Sequence, residues 1–199
     1  FECCINLKSV FNLSSIESIG TYAFRNCLSL KEVTFSYLLK SIEKGAFDGC
    51  SSLTQVPIPP SVTSIGEGAF SDCSSLTTIS IPSSVQSIGS NDKKGQIVLQ
   101  NNFFKGCRSL KHVYFNCPLK SIENYSFYDC KSLEQITIAS TNISSDDYSF
   151  NITPNVIEKI REKSLIDQNN FNYSAYKFED ENTDDTFELK VFLGKLKNY

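Results

Sequence analysis

The chain has 199 residues, of which 40% are hydrophobic and 21% are charged, and it carries a net charge of −3 with a pI near 5.3. This composition indicates a folded domain with a core, and the acidic balance argues against nucleic acid as a partner. No apolar run reaches the roughly 18 residues that a membrane helix needs, so we expect no membrane insertion in this segment.

The chain begins with the first copy of a motif that recurs along most of its length. Six cysteines follow one another at intervals of 23, 23, 23, 34 and 23 residues. A Phe lies three residues before each of them, a Leu three residues after, and a Val or Ile six residues after. Each unit is too short to bury its own apolar face, so the repeat predicts a solenoid whose stacked turns share one core. The cysteines are Cys4, Cys27, Cys50, Cys73, Cys107 and Cys130.

Each repeat contains two segments that we predict to be strands. The first is the pattern Leu-x-x-Val/Ile-x-Phe/Ile, and one such strand per turn must pair in parallel at a spacing of about 4.8 Å. Pro59 and Pro82 are expected to end two of these strands. A Ser-Ile pair follows in five repeats, at Ser18-Ile19, Ser41-Ile42, Ser64-Ile65, Ser87-Ile88 and Ser121-Ile122.

The cysteines of the series should form a row rather than a cluster. A row with a spacing of about 5 Å cannot surround a tetrahedral zinc ion, and parallel side-chain directions do not suit a disulfide. We therefore predict buried free thiols and no metal site. Cys3 and Cys117 lie outside the series, and we expect Cys117 to be exposed, with a reactive or disulfide-forming thiol as a hypothesis for it.

The repeat resembles a known family. The pattern S-I-x-x-x-A-F-x-x-C-x-S-L-x-x-V-x-I-P, matched best by residues 41–59 and 64–82, is similar to the BspA-type (Treponema-type) leucine-rich repeat, and the resemblance covers residues 1–150. It implies a leucine-rich-repeat solenoid with a parallel sheet on its concave face and short turns or 3-10 segments on its convex side. It also implies a protein-binding module of the kind found on oral and gut bacteria and in mucosal protists, with a cysteine row similar in role to the asparagine ladder of other leucine-rich repeats.

We assign residues 1–153 to the solenoid, with six turns and a degenerate seventh in which Phe150 keeps the Phe column. Residues 89–101 form an insertion, in which residues 91–95 have turn composition and Gln96–Gln100 could form a short extra strand. The insertion is either a tolerated surface bulge or part of a binding face. Because Phe1 falls inside a repeat, we expect the chain to be truncated and further repeats to precede it.

Residues 154–199 are expected to form a helical cap and a tail. Thr153-Pro154 is typical of a helix N-terminus, and Val156, Ile157 and Ile160 would share one helical face, so we predict a helix that caps the last turn. Acidic residues follow at 179–185. Residues 187–193 alternate like a strand, although a helix is also open there. The tail either folds back as a cap or docks on a partner, and we favour docking for the last 15 residues.

The candidate site lies on the outward positions of the first strand of each turn, two and four residues after each Leu. The surface is polar and weakly charged, without a basic stripe or stacked aromatic residues, which favours another protein as the partner, with His112 and Tyr114 as anchors. The candidate binding residues are Glu32, Thr34, Gln55, Thr78, Ser80, His112, Tyr114, Gln135 and Thr137.

The function that we expect is binding without catalysis. The single His, for which we place no orienting acid, argues against a hydrolase, so we predict no enzyme activity, no catalytic residue and no cofactor. The resemblance favours surface adhesion or host-factor binding at the cell surface. The alternative is an intracellular scaffold in a large or cytoskeletal assembly, which the free thiols would suit.

Overall fold

The computed structural model describes residues 1–13, 15–89, 97–99, 102–122 and 126–139, together with strands at 151–152, 172–179 and 186–194. The described residues up to 152 form a parallel β-solenoid, as the repeat predicts, and the strand at 172–179 pairs antiparallel with the strand at 186–194. Numbered in chain order, its strands are β1 (Ser9–Leu13), β2 (Ser18–Ile19), β3 (Glu32–Phe35), β4 (Ser41–Ile42), β5 (Ser64–Ile65), β6 (Thr78–Ile81), β7 (Ser87–Ile88), β8 (Ile97–Leu99), β9 (His112–Phe115), β10 (Leu119–Ile122), β11 (Gln135–Ala139), β12 (Asn151–Ile152), β13 (Asn172–Glu179) and β14 (Thr186–Gly194).

Each turn of the solenoid has three sides. The broad face contains the strands that follow the Leu column, and it consists of the β1–β3 pair and the sheet ordered β13-β14-β11-β9-β6. The narrow face contains the Ser-Ile strands, in the sheets β2-β4-β5-β7 and β12-β10-β8. The third side, which we call the turn side, carries the Phe and Cys columns.

The predicted strand of the third turn does not form on the broad face. Residues 53–58 carry no strand in the part of the chain that the structure describes, and they separate β3 from β6. Pro57 lies in this segment and has no backbone N–H to donate to a neighbouring strand. The segment still packs inward, because Leu53 and Val56 are buried.

The core consists of columns that run through the turns. The Phe rings of successive turns are stacked, with centroids 5.3 Å apart for Phe24 and Phe47 and 5.9 Å apart for Phe47 and Phe70. In the cysteine row, each thiol from Cys27 to Cys130 donates a hydrogen bond to the backbone carbonyl of the Phe in the preceding turn. For example, Cys73 Sγ donates to Phe47 O at 3.2 Å. The predicted row of buried free thiols is confirmed from Cys27 to Cys130, whereas Cys4 is exposed.

Backbone hydrogen bonds also connect the turns on the turn side. The amide of Phe24 donates to the carbonyl of Ala46, and that of Phe47 to Ala69. This path has positive φ at two positions in each of the second to fifth turns, and one of the two directly precedes the repeat's cysteine. Asn, Asp and Gly tolerate that conformation best, and they occupy five of the six positions that directly precede a cysteine of the row. The residues there are Cys3, Asn26, Gly49, Asp72, Gly106 and Asp129.

The insertion adds one strand to the narrow face, as we predict for Gln96–Gln100. Strand β8 pairs with β10, which places Leu99 opposite Ile122, and it contacts β7 on its other side. The turn side receives an additional ring instead of a strand. Phe103 is fully buried and meets the Phe70 and Phe104 rings edge-on, with centroid distances of 5.9 and 4.8 Å. Residues 90–96, with the predicted turn, lie outside the described residues.

The expectation that Cys117 is exposed is wrong, because Cys117 is fully buried. In the second, third and fourth turns the corresponding corner is closed by a bond that spans three residues, as from Leu39 N to Ser36 O. In the fifth turn Leu119 N bonds to Cys117 O across Pro118, which is a tighter γ-turn. The tighter corner turns Cys117 inward, and burial raises the pKa of its thiol to about 12.

The C-terminal part of the chain returns to the solenoid. Strand β12 pairs with β10, with Ile152 opposite Ile122, and β14 pairs in parallel with β11, with Val191 opposite Ile136. The predicted strand in residues 187–193 is thus confirmed. Our preference for partner docking is wrong for residues 186–194, whose backbone pairs within this chain. Phe150 and the predicted capping helix from Thr153 onward lie outside the described residues.

Candidate functional site

Six of the nine predicted site residues are brought together by the broad face. Register places Thr78, His112 and Gln135 side by side on β6, β9 and β11, and it does the same for Ser80, Tyr114 and Thr137. Glu32 and Thr34 lie on β3, beyond the interruption at the third turn, and Gln55 lies within that interruption and outside any strand. Glu32, Thr34, Gln55 and Ser80 are exposed, and the other five are half-buried.

We call the two lines of outward residues the first row and the second row. The first row contains the more polar and charged side chains, and the second row contains hydroxyl, aromatic and proline side chains. The first row is Ser9, Glu32, Gln55, Thr78, His112 and Gln135, and the second row is Phe11, Thr34, Pro57, Ser80, Tyr114 and Thr137.

Two hydroxyl groups of the second row already accept a hydrogen bond from a neighbouring side chain. Asn116 Nδ2 donates to Ser80 Oγ at 2.9 Å, and Gln135 Nε2 donates to Thr137 Oγ1 at 2.9 Å. Because a hydroxyl carries one proton of its own, each of these groups keeps an O–H to donate to a ligand.

The sequence reasoning missed an acid beside His112. Glu134 Oε2 lies 3.9 Å from His112 Nε2, and Glu134 Oε1 lies 3.5 Å from Lys111 Nζ. Glu134 comes directly after Leu133 and one residue before Gln135 of the first row. It therefore reaches His112 diagonally, from the sixth turn to the adjacent fifth turn. The occurrence of Lys111 and Glu134 at the same position of adjacent repeats is the signal that could have indicated this.

The described residues of the site offer further polar atoms and no group of side chains that could hold a metal ion. His112 Nδ1 and Asn116 Oδ1 are shielded from solvent without a hydrogen-bond partner. Within the described part of the chain, no three His, Cys, Asp or Glu side chains are grouped to hold a metal ion. Burial also raises the pKa of the Cys50 and Cys130 thiols to about 12, which keeps them protonated. The geometry supports binding by an extended polar surface.

The fold and the columns together define the class of protein. Parallel turns of mostly 23 residues, a buried Leu column and a broad sheet with outward polar rows make this chain a leucine-rich-repeat protein. The family model described as "BspA type Leucine rich repeat region" matches in six copies over residues 1–92 and 93–189. The chain therefore belongs to the BspA-type leucine-rich-repeat family.

Solved structures show the same fold. The leucine-rich-repeat protein TpLRR of T. pallidum is 28% identical, with a TM-score of 0.59, and the match covers 71% of this chain and 64% of that one. A leucine-rich-repeat protein from Bacteroides ovatus is also 28% identical, with a TM-score of 0.54 and coverages of 69% and 41%. The pneumococcal vaccine antigen PcpA is 20% identical, with a TM-score of 0.58 and coverages of 80% and 36%, and it shows the fold alone.

This chain thus spans less than two thirds of the length of each of these solved proteins. No curated protein sequence matches it. Proteins of this repeat family are in general interaction or surface-associated modules. In the described residues, no helix has the length and apolar character needed to cross a bilayer.

Proposed function

We propose that the chain is a non-enzymatic protein-binding module that acts in surface adhesion or host-factor binding through its broad face. The observation that carries the proposal is the grouping of His112, Tyr114 and their neighbours on one continuous sheet. Tyr114 is half-exposed, and aromatic side chains with a hydroxyl group are frequent anchors of protein interfaces. The adhesion role extends the general character of the family to this chain.

The test compares the unmodified chain with the double variant His112→Ala/Tyr114→Ala. Binding to immobilised extracellular-matrix and secreted proteins is measured by surface plasmon resonance, and thermal unfolding is recorded in parallel. We expect the double variant to lose at least about tenfold in affinity at an unchanged melting temperature. The matched control is Tyr128→Ala, which removes an exposed Tyr from the turn side. Unchanged binding by the double variant would place the interface elsewhere and contradict the proposal.

A second candidate function is an intracellular scaffold in a larger assembly, and one observation favours it. All eight cysteines are free, which suits a reducing compartment. Intact and peptide mass spectrometry of the protein from its native source separates the two candidates. Glycans at the sequons of Asn124 or Asn172 would support the surface role, whereas bare asparagines with eight free thiols would support the scaffold.

A further inference from the structure

Three hydroxyl groups of the second row lie side by side on adjacent strands. Register pairs Tyr114 of β9 with Ser80 of β6 on one side and with Thr137 of β11 on the other. Ser80 is exposed and the other two residues are half-buried, so all three side chains reach the surface. Adjacent strands are about 4.8 Å apart, so the three residues form a line across the fourth to sixth turns, which we call the hydroxyl line.

The two outer hydroxyl groups of the hydroxyl line are arranged to donate. Ser80 Oγ accepts a hydrogen bond from Asn116 Nδ2 at 2.9 Å. Thr137 Oγ1 accepts one from Gln135 Nε2, also at 2.9 Å. A hydroxyl group that accepts a bond keeps its own proton for another acceptor. An ionised carboxylate suits these positions best, because it only accepts and its hydrogen bonds are strengthened by charge.

The net charge around the hydroxyl line depends on one side chain. In β6, β9 and β11, together with the residue that precedes each of these strands, the charged residues are Lys111 and Glu134. They form an ion pair at 3.5 Å, so their charges cancel. The remaining titratable side chain beside the line that can become positive is His112, which is the only His of the sequence.

The groups that face His112 allow it to take up a proton. Its neighbours in register, Thr78 and Gln135, are uncharged. Glu134 Oε2 lies 3.9 Å from His112 Nε2, while the other oxygen of that carboxylate is bound to Lys111. His112 Nδ1 is shielded from solvent. A proton from solvent therefore enters at Nε2, beside the carboxylate.

The other charged residues of this sheet lie farther from His112. Register places Lys190 of β14 two strands away from it, and Glu188 and Lys177 are opposite each other beyond that position. Glu32 of β3 lies on the far side of the interruption at the third turn. Among the described side chains, Glu134 is thus the acid that faces the imidazole, and it is shared with a lysine.

The pH determines how well this surface matches an acidic ligand. Histidine is the side chain that gains a positive charge as the pH falls from about 8 to about 5. A Glu side chain of a partner stays ionised over most of that range, since its pKa is about 4.3. Complementary charges speed association and favour the matching partner over others. An acidic ligand should therefore bind more tightly in mildly acidic solution.

We infer that the hydroxyl line binds carboxylate side chains on an acidic surface of the partner protein, and that protonation of His112 strengthens this binding at mildly acidic pH. This inference deepens the proposed function and rests on it. It assigns a charge to the partner's surface and a pH dependence to the complex, both of which the proposed function leaves open.

The test measures the binding of three fluorescent probes to the full chain by anisotropy, at about pH 7.0 and about pH 5.5. The first probe is a peptide in which Glu alternates with Ser, and the second replaces each Glu with Gln. The third is an oligogalacturonate, which carries carboxylates on a sugar chain. At the lower pH we expect the first probe to bind at least about tenfold more tightly than the second. Its affinity should rise about threefold between the two pH values at low salt, and less at about 0.5 M salt.

Variants connect these effects to the surface. His112→Asn should bind the first probe equally at both pH values, because it removes the only imidazole. His112→Lys, with a permanent charge, should bind at the higher pH as tightly as the unmodified chain does at the lower pH. Ser80→Ala should weaken binding about threefold at both pH values. The matched control Ser64→Ala removes a half-buried hydroxyl from the narrow face and should leave the affinity unchanged. Thermal unfolding confirms that each variant is folded.

Three results would overturn the inference: equal binding of the first two probes, a pH dependence that persists in His112→Asn, or tighter binding of the oligogalacturonate than of the first peptide. If the acidic peptide fails to bind while His112→Ala/Tyr114→Ala still abolishes binding of a folded partner, the inference fails and the proposed function stands. If neither the acidic peptide nor the double variant shows an effect, both fail.

Discussion

Replacement of Phe70 by Leu tests whether the ring column holds the solenoid together. The Phe70 ring is fully buried, lies nearly parallel to the Phe47 ring at 5.9 Å and to the Phe104 ring at 6.4 Å, and meets Phe103 edge-on at 5.9 Å. Leu keeps most of the apolar volume and removes every ring contact. The fold should therefore persist with a measurable loss of stability.

The size of the loss follows from these contacts. An aromatic pair contributes about 0.5–1.5 kcal/mol beyond the area it buries, and Phe70 makes three such contacts. With the partial cavity that Leu leaves, we expect Phe70→Leu to lower the free energy of unfolding by about 3 kcal/mol. The matched control, made in the same 199-residue chain, is Phe1→Leu, which removes one stacked contact. Phe1 is 71% exposed and stacks only on Phe24, so its loss should be below about 1 kcal/mol.

Urea unfolding followed by far-ultraviolet circular dichroism measures both variants. A slope of about 2–3 kcal/mol per molar urea is expected at this size, so the Phe70→Leu midpoint should fall by about 1 M. Within residues 1–199 the Phe70 ring stacks on a neighbour on each side and the Phe1 ring on one neighbour only, which is why the two variants of this chain should differ in cost. Equal midpoint shifts for Phe70→Leu and Phe1→Leu would refute this reasoning.

Three further outcomes are expected. A thiol reagent should modify only Cys3 and Cys4 in the folded chain, since the other six cysteines are buried, and a third fast-reacting thiol would contradict this. The melting temperature should fall as the pH rises from about 9 to 12. The reason is that the Cys50 thiol ionises near 9.0 in the unfolded chain, whereas burial raises its pKa to about 12 in the folded chain. Cys50→Ser should therefore make the melting temperature depend less steeply on pH over this range. Gly49→Ala should cost about 1–3 kcal/mol in urea unfolding, because φ is +74° and a Cβ would collide with Asn26 Oδ1. Gly20→Ala, with nothing within 4 Å of its Cβ, should be nearly neutral.

The columns of the core could be predicted from spacing alone. In a solenoid, residues one repeat apart occupy equivalent positions, so Phe47, Cys50 and Leu53 share the burial of Phe70, Cys73 and Leu76. The same argument placed Thr78 beside His112, although the insertion makes their offset 34 residues. Such positions are predictable because equivalent residues of successive repeats pack against one another in the same way.

Two predictions failed where a single proline changes the backbone of one repeat: the strand of the third turn and the exposure of Cys117. Pro57 removes a donor from the third turn and leaves the broad face without a strand there, and Pro118 tightens a corner and buries Cys117. Glu134 was missed for a different reason. Its contact with His112 joins neighbouring columns, and column positions alone do not determine which way a long side chain reaches across a turn.

We expect the insertion to affect the candidate binding surface, although it lies on another side of the solenoid. Strand β8 adds about 4.8 Å to the narrow face between β7 and β10. The Phe column widens far less at this point, to 6.4 Å between Phe70 and Phe104, and Phe103 fills the space between those rings. On the broad face β6 still pairs directly with β9, without any added strand.

An element that lengthens only one side of a stack must bend it toward the opposite side. We therefore expect a bend between the fourth and fifth turns, with β6 and β9 on its inner side. Ser80 and Tyr114 are paired at this place, so we expect the insertion to set the curvature of the second row between them. A deletion within residues 90–96 that keeps β8 in place should leave the spacing of Ser80 and Tyr114 unchanged, whereas loss of β8 should alter it.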